Sequence, residues 1–303
     1  MMTSRATRGQ EPENMVADNI VTRFAPSPTG PLHLGHALSA IRAHDLARAA
    51  AGRFLLRIED IDGTRSRPEH VEGILADLRW LGLSFDGPVL HQSTQQAAYQ
   101  AALDRLSATG LLYPCFCTRA DIAASVGAPQ AGDDGSVYPG TCRALSPAEQ
   151  QARMATTPHA WRINMAQADA LAEPLDWHDA DAGWVIADPL AHGDVVLARK
   201  DAPASYHLAV TVDDAAQGVS DVVRGADLFG ATHVHRLLHA LLGLPTPRYH
   251  HHALLCDADG KRLAKRSGAP SLAQLRAAGQ DGAALAQMLR TGQLPIGIGT
   301  IAH

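Results

Sequence analysis

The chain lacks any apolar run near the roughly 20 residues of a membrane span, which excludes a single-pass or polytopic helical membrane protein. The stretch from 1 to 18 is polar and has no apolar core of the kind a secretion signal needs, so it reads as a disordered leader. Cysteine is scarce: four residues, at 115, 117, 142 and 256, are no secreted disulfide framework in 303 residues. A reducing compartment, hence the cytoplasm, and a metal site fit them better. There is no basic excess either. With 26 Lys and Arg against 31 Asp and Glu the formal charge is −5, so an RNA contact has to come from a local basic face. No internal repeat is present. What is left is a chain 46% hydrophobic, enough to bury one large core or two modest ones.

Two phosphate-binding patterns are also missing from the most distinctive stretch, Arg23 to His36 (RFAPSPTGPLHLGH). Gly30 and Gly35 imitate the spacing of a P-loop, but His36 and Ala37 stand where Lys and Ser or Thr belong. No G-x-G-x-x-G follows the short β-type run Asn19 to Thr22, which removes the dinucleotide fingerprint. What the stretch does have is a loop stiffened by Pro26, Pro28 and Pro31, then His33 and His36 three apart where a helix should begin. Two imidazoles on one face beside a helix N-terminus make a cradle for phosphate.

RFAPSPTG followed by HLGH resembles the first signature of the class I aminoacyl-tRNA synthetases, in the form used by their glutamate-specific branch. The His-x-Gly-His core alone is shared with small-molecule nucleotidyltransferases, so the longer string carries the specificity. Further stretches resemble the same family: RIED at 57–60, SYHLAV from Ser205, VVRGADL to Leu228, and LLCDADGKRLAKRSGAP, which is similar to the second, lysine-bearing signature. The resemblance covers about Val21 to Pro270.

It implies an α/β fold, a Rossmann-type catalytic domain split by an acceptor-binding, zinc-bearing insert and without an anticodon-binding domain. The expected division is a leader at 1–18, halves of the catalytic domain at 19–110 and 204–248, the insert at 111–203, and the lysine loop with a helical segment at 249–303. The elements expected from pattern are a helix from Ala37 to Ala51 stopped by Gly52, a strand from Arg53 to Ile58, and a helix opened by Pro68 with Val71, Ile74, Leu75 and Leu78 inward. Another helix follows Ser93 with Tyr99, Ala102, Leu103 and Leu106 inward. Strands are expected at His207 to Val212 and at Asp221 to Val223, and a helix carries Val234, Leu237, Leu238 and Leu241.

The resemblance assigns catalysis to His33, His36 and Lys265, ATP binding to these with Gly35, and glutamate binding to Arg23, Ala25, Ser27, Glu59, Tyr206 and Arg224. Two departures from the family stand out: Ala264 replaces the usual serine before the lysine, and His233-Val234-His235 replaces proline, arginine and glutamine. In the insert, Cys115, Cys117 and Cys142 alone lack one ligand of a tetrahedral zinc, and a C-x-C with one distant cysteine reads by itself as three buried reduced thiols before it reads as a metal site. The resemblance to zinc-bearing relatives adds Tyr138 as the fourth, with His159 and His178 as spare candidates. The implied substrates are L-glutamate and ATP with Mg2+, and a Zn2+ is implied in the insert. The expected activity is tRNA-independent formation of glutamyl-adenylate. The expected acceptor, as in a short branch of the family, is the queuosine base of tRNA(Asp), with the chain acting as a monomer. The alternatives are a truncated conventional synthetase, a nucleotidyltransferase and a non-catalytic RNA-binding relic.

Overall fold

The computed structural model describes residues 20–118, 120–122, 137–199, 201–257, 260, 263, 270–294 and 298–301. Its first unit is β1 (Val21–Phe24), α1 (Leu34–Ala49) and β2 (Arg53–Ile58), with β1 and β2 parallel from Val21↔Arg53 to Phe24↔Leu56. The return from α1 to β2 is tight. Ala51 takes a left-handed φ of 51°, and a Cβ on Gly52 would stand 2.0 Å from the Ile20 carbonyl oxygen, so only glycine fits there. Next come α2 (Pro68–Trp80), the short β3 (Leu90–His91) parallel to β2, and α3 (Gln96–Ala108), which buries Tyr99, Ala102, Leu103 and Leu106 as the spacing expects.

The stretch expected as the insert contains β4 (Leu112–Cys115), α4 (Pro147–Met154), β5 (Ala160–Ile163), α5 (Met165–Leu171), β6 (Asp176–Asp179), β7 (Gly183–Ile186) and β8 (Val196–Arg199). Strands β4, β5 and β8 form an antiparallel sheet of their own. The β6–β7 hairpin does not stay with them. It pairs through Asp179↔Tyr249 with β10 (Arg248–His252), so this part of the stretch is an edge of the catalytic sheet.

The chain returns with α6 (Tyr206–Ala216), β9 (Asp221–Gly225) and α7 (Ala231–Leu242), which stops at a left-handed Gly243. Here a pattern-based expectation fails, because His207 to Val212 is helix and not strand. The β-branched residues suggest extension, but Ser205 caps the turn by accepting from the Leu208 N–H, and Leu208, Ala209 and the partly buried Val212 pack against the α3 and α7 side chains. Tertiary burial outweighs the local preference. Beyond β10, β11 (Leu254–Cys256) pairs with β12 (Gly299–Ile301), and α8 (Leu272–Ala277) and α9 (Gly282–Thr291) cover the α1–α2 side of the core with Leu272, Leu285 and Leu289.

The two parallel sets β3-β2-β1 and β9-β10-β6 lie edge to edge, joined where the Ser220 N–H donates to the Val21 carbonyl at 3.0 Å and Arg23 Nη1 donates to the Val223 carbonyl at 3.3 Å. From β1 the chain builds strands outward in one direction, and from β9 in the other. That reversal makes the β1/β9 seam the switch point of a doubly wound sheet, where ligands collect beyond the carboxyl ends of the strands. Among the described residues no helix is long and apolar enough to cross a membrane.

Candidate active site

At that seam lies a cavity of about 480 Å3. Its wall brings together Arg23, Ala25, Ser27, His33, Gly35, His36, Glu59, Tyr206 and Arg224, residues spread over 202 positions of sequence from the ends of β1, β2 and β9 and the starts of α1 and α6. Lys265 and Ala264 lie outside the described residues. His33 is the N-cap of α1: its Nδ1 accepts from the Gly35 N–H at 3.1 Å, while His36 Nδ1 accepts from the His33 N–H at 3.1 Å. This is a capping box built of imidazoles. It brings the rings to a centroid distance of 3.8 Å, tilted by 37°, and a Cβ on residue 35 would touch the His33 ring at 3.0 Å, which is why glycine sits between them. Because both Nδ1 atoms accept, a neutral ring at either position carries its proton on Nε2.

Behind the cavity is a buried charge network. Asp214 accepts from Arg23 Nε at 3.0 Å and from Arg57 Nη1 at 2.7 Å, and Glu59 and Asp213 lie 3.8 and 3.9 Å from Arg57 Nε. Asp213 is held by Gln92 at 2.7 Å and the Tyr99 hydroxyl at 2.9 Å. Burial would raise the Asp214 pKa, but Arg23 and Arg57 outweigh it and hold that carboxyl below its usual range. For Glu59 burial wins and pushes the pKa up to about 7, against the pull of Arg57 and Arg23. Arg23 is therefore anchored by a carboxylate of its own chain as well as lining the cavity.

Arg224, 5% exposed, is different. It donates to His251 Nε2 at 3.1 Å, the Tyr206 hydroxyl at 3.2 Å, His235 Nδ1 at 3.3 Å and Thr232 Oγ1 at 2.6 Å. Among the described residues it has no carboxylate at ion-pair distance. A buried guanidinium with neutral partners only, opening on a polar cavity, is a receptor for an anion.

Residues 19–297 match the family described as tRNA synthetases class I (E and Q), catalytic domain. The chain belongs to that family. Among curated proteins it is 50% identical over 279 residues to the Glutamyl-Q tRNA(Asp) synthetase of Rhodobacter capsulatus, covering 89% of this chain and 99% of the relative. It is 48% identical over 269 residues to the protein of that name in Symbiobacterium thermophilum, covering 85% and 81%. Among solved structures it is similar to the glutamate-tRNA synthetase of Elizabethkingia anophelis, with a TM-score of 0.71 and 29% identity, over 84% of this chain. It spans 55% of the length of that synthetase chain.

In this class I synthetase the second cluster of chemistry-bearing residues sits in the β4–β5–β8 lobe. The sulfurs of Cys115, Cys117 and Cys142 all lie within 4.8 Å of one another, with Cys117 and Cys142 at 3.5 Å. The Tyr138 hydroxyl is 3.6 Å from Cys117 Sγ and accepts from the Cys142 N–H at 2.8 Å. A tetrahedral zinc places sulfurs about 3.8 Å apart and a sulfur about 3.6 Å from an oxygen ligand, so the four residues fit that ion. His159 lies against Phe116 and Trp161, and His178 against Trp184; neither joins the cluster.

Pattern and resemblance give no role to the supporting residues Arg57, Asp213, Asp214, Thr232 and Asp179, while His235, marked in the sequence only as a departure from the family, is a partner of Arg224. Arg57 opens the RIED string, which was the available signal for it. The Asp213-Asp214 pair was masked by reading its segment as following a strand.

Proposed function

We propose that the chain activates L-glutamate with ATP to glutamyl-adenylate and passes the glutamyl group to the queuosine base of tRNA(Asp). The observation that carries the first half is Arg224, the buried cation that lacks a carboxylate partner among the described residues and faces the same cavity as Glu59, His33 and His36. In this reading Arg224 and Tyr206 take a carboxylate of glutamate, Ser27 and the Ala25 backbone shape the pocket, and Glu59 takes the ammonium, with Arg23 held beside it by Asp214. ATP lies over Gly35, where His33, His36 and Lys265 meet the phosphates. The step is attack of the substrate carboxylate on the α-phosphorus with pyrophosphate leaving, which needs alignment and charge stabilisation but no protein nucleophile.

Only Glu59 and Asp227 are carboxylates among the described cavity-lining residues, in keeping with a Mg2+ held chiefly by the phosphates and water. Cys115, Cys117, Tyr138 and Cys142 would hold one structural Zn2+, which would cross-link the lobe and take no part in the reaction. The acceptor half is supported by the names of the relatives at 50% and 48% identity. A cytoplasmic monomer that activates glutamate without tRNA completes the proposal.

The test offers labelled glutamate and ATP with tRNA(Asp) carrying either queuosine or guanine, then locates the label by nuclease digestion and mass spectrometry. Label on queuosine alone is expected. Label at the 3′ end, or equal incorporation without queuosine, overturns the acceptor. Glutamate-dependent pyrophosphate exchange that appears only when tRNA is added overturns the tRNA-independent step.

A further inference from the structure

The partners of Arg224 fix more than its position. An arginine only donates hydrogen bonds, so His251 Nε2 and His235 Nδ1, which receive its N–H groups, must both be bare. Each neutral ring then carries its proton on the other nitrogen. For His251 that is Nδ1, which donates to Asp179 Oδ2 at 2.8 Å. For His235 it is Nε2, which donates to His207 Nδ1 at 3.1 Å. Asp179 is a pure acceptor: Oδ1 takes the N–H groups of Asp181 and Ala182 at 3.0 and 3.1 Å, and Oδ2 also takes that of His251 at 3.2 Å. The proton positions from Asp179 through His251, Arg224 and His235 to His207 are therefore set by one another.

The same chain keeps negative charge off the guanidinium. Asp179 is the acid nearest to it in this network, yet the His251 ring stands between them. Thr232 and His251 are buried with it, and Tyr249, stacked on His251 at an interplanar angle of 3°, offers its face to the Arg224 guanidinium at 5.2 Å. Burial, reinforced by Arg224, holds the His251 pKa down at about 4 and that of His235 well below its usual value, so both rings are neutral near pH 7.

We propose that Asp179, His251, His235 and His207 are positioning residues that present Arg224 to the cavity as an oriented, uncompensated cation, and that this is what makes the pocket demand a carboxylate. Arg23 and Arg57 show the contrasting arrangement, since both already lean on Asp214. The inference rests on the glutamate reading of the cavity.

Pyrophosphate exchange as a function of glutamate and of ATP tests it in four variants, with thermal melts alongside. Arg224→Ala is the reference and should raise the glutamate KM steeply. Asp179→Asn replaces one of two accepting oxygens with an NH2 donor, so that Asp181 and Ala182 or His251 must lose an acceptor and the His251 tautomer is no longer fixed; it should raise the glutamate KM about tenfold or more, on the scale that misorientation costs, with the ATP KM within about twofold. His251→Gln keeps a neutral acceptor for Arg224 and should recover most of the affinity. Thr232→Asp, nearly equal in volume, puts a carboxylate where a hydroxyl now accepts from Arg224 Nη2 at 2.6 Å and lies 3.3 Å from His251 Nε2. It should fold at least as stably and lose glutamate binding by about 100-fold, because Arg224 is then satisfied from within. The inference is overturned if Thr232→Asp and Asp179→Asn leave glutamate saturation unchanged while Arg224→Ala alters it. It is equally overturned if the glutamate and ATP KM values rise together with a falling melting temperature, the mark of a merely structural role. An Arg224→Ala variant with normal glutamate saturation instead refutes the pocket reading itself.

Discussion

Around the β1/β9 crevice two of the three buried arginines, unlike Arg224, have counter-charges within the chain: Arg23 and Arg57 share Asp214, with Asp213 and Glu59 close by. Around Cys115, Tyr138 and Cys142 the apolar cluster is much smaller, formed with Tyr113 and a few partly buried neighbours that include Cys117, although β5 and β8 of the same lobe reach a larger core through Ile163, Leu197 and Ala198. Its other tie is Asp194, which accepts from the Tyr113 hydroxyl at 2.6 Å, Arg143 at 2.9 Å and the Met165 N–H at 2.8 Å. The crevice can thus be preorganised by its own electrostatics, whereas the surroundings of the sulfurs would, in the proposed reading, gain rigidity from a metal cross-link. The lesson is that the order of the crevice and the order of the lobe should fail separately.

The sharpest way to break that contrast is to remove the shared counter-charge. Asp214→Ala leaves two guanidinium groups buried with Glu59 and Asp213, 3.8 and 3.9 Å from Arg57, as distant and insufficient partners, and stability should fall by about 3–5 kcal/mol, the usual scale for orphaning a buried charge. Denaturant unfolding reads it. A midpoint equal to the parent's would mean that the network contributes orientation only, and a loss of metal in the same variant would show that the two regions are coupled after all.

The next effect concerns rate. Lys265→Ala should slow adenylate formation by about 10²- to 10³-fold, the scale for one preorganised contact to developing charge, while glutamate binding and the stability of the crevice stay nearly as they were. An unchanged exchange rate removes Lys265 from the mechanism.

What could be read from the letters alone follows from the range of each interaction. The signature loop, α1 with its histidine start, α2, α3 and α7 depend on residues within a turn or two, and their periodicity and stop residues are local. The cysteine cluster needed a contact across 25 residues, and the resemblance, not the spacing, supplied its tyrosine. The Arg23–Asp214 pair joins positions 191 apart, and nothing near Asp214 marks it as a counter-ion. Asp179 was hidden for a related reason. It stands in a stretch read as insert, and only the pairing of β6 with β10 brings it to His251. The error at His207 to Val212 is of another kind, a β-branched run whose burial between helices decided against its intrinsic preference.

A smaller and more local effect is expected in the lobe. Cys117→Ser should lose the zinc, about one ion per chain in the parent by elemental analysis, and amide exchange should quicken in β4, β5 and the 137–145 segment with β1, β2 and β9 unaffected. A fully protected lobe in metal-free parent protein would return these residues to three buried thiols.

The smallest effect is a pH dependence confined to the crevice. Glu59 is 11% exposed at its side chain, and burial lifts its pKa from 4.5 to about 7 despite Arg57 and Arg23. Between those values the folded protein holds a proton that the unfolded chain has released, so in the ligand-free protein stability falls as pH rises through this window. Glutamate reverses the preference, because its ammonium favours the ionised carboxylate. The glutamate KM, measured at saturating ATP, should therefore fall as pH rises from 6 to 8, by up to about tenfold, the change in ionised fraction for a group titrating near 7. In Glu59→Gln the profile should flatten at a weaker affinity. Any other group titrating in the same interval persists in that variant, so the difference between the two profiles isolates Glu59. Amide exchange around the cysteine cluster supplies the control, because it should not follow the titration of Glu59. A glutamate KM that rises with pH, or one that follows the same course in Glu59→Gln, would take the ammonium away from Glu59 and leave it as one more member of the buried network.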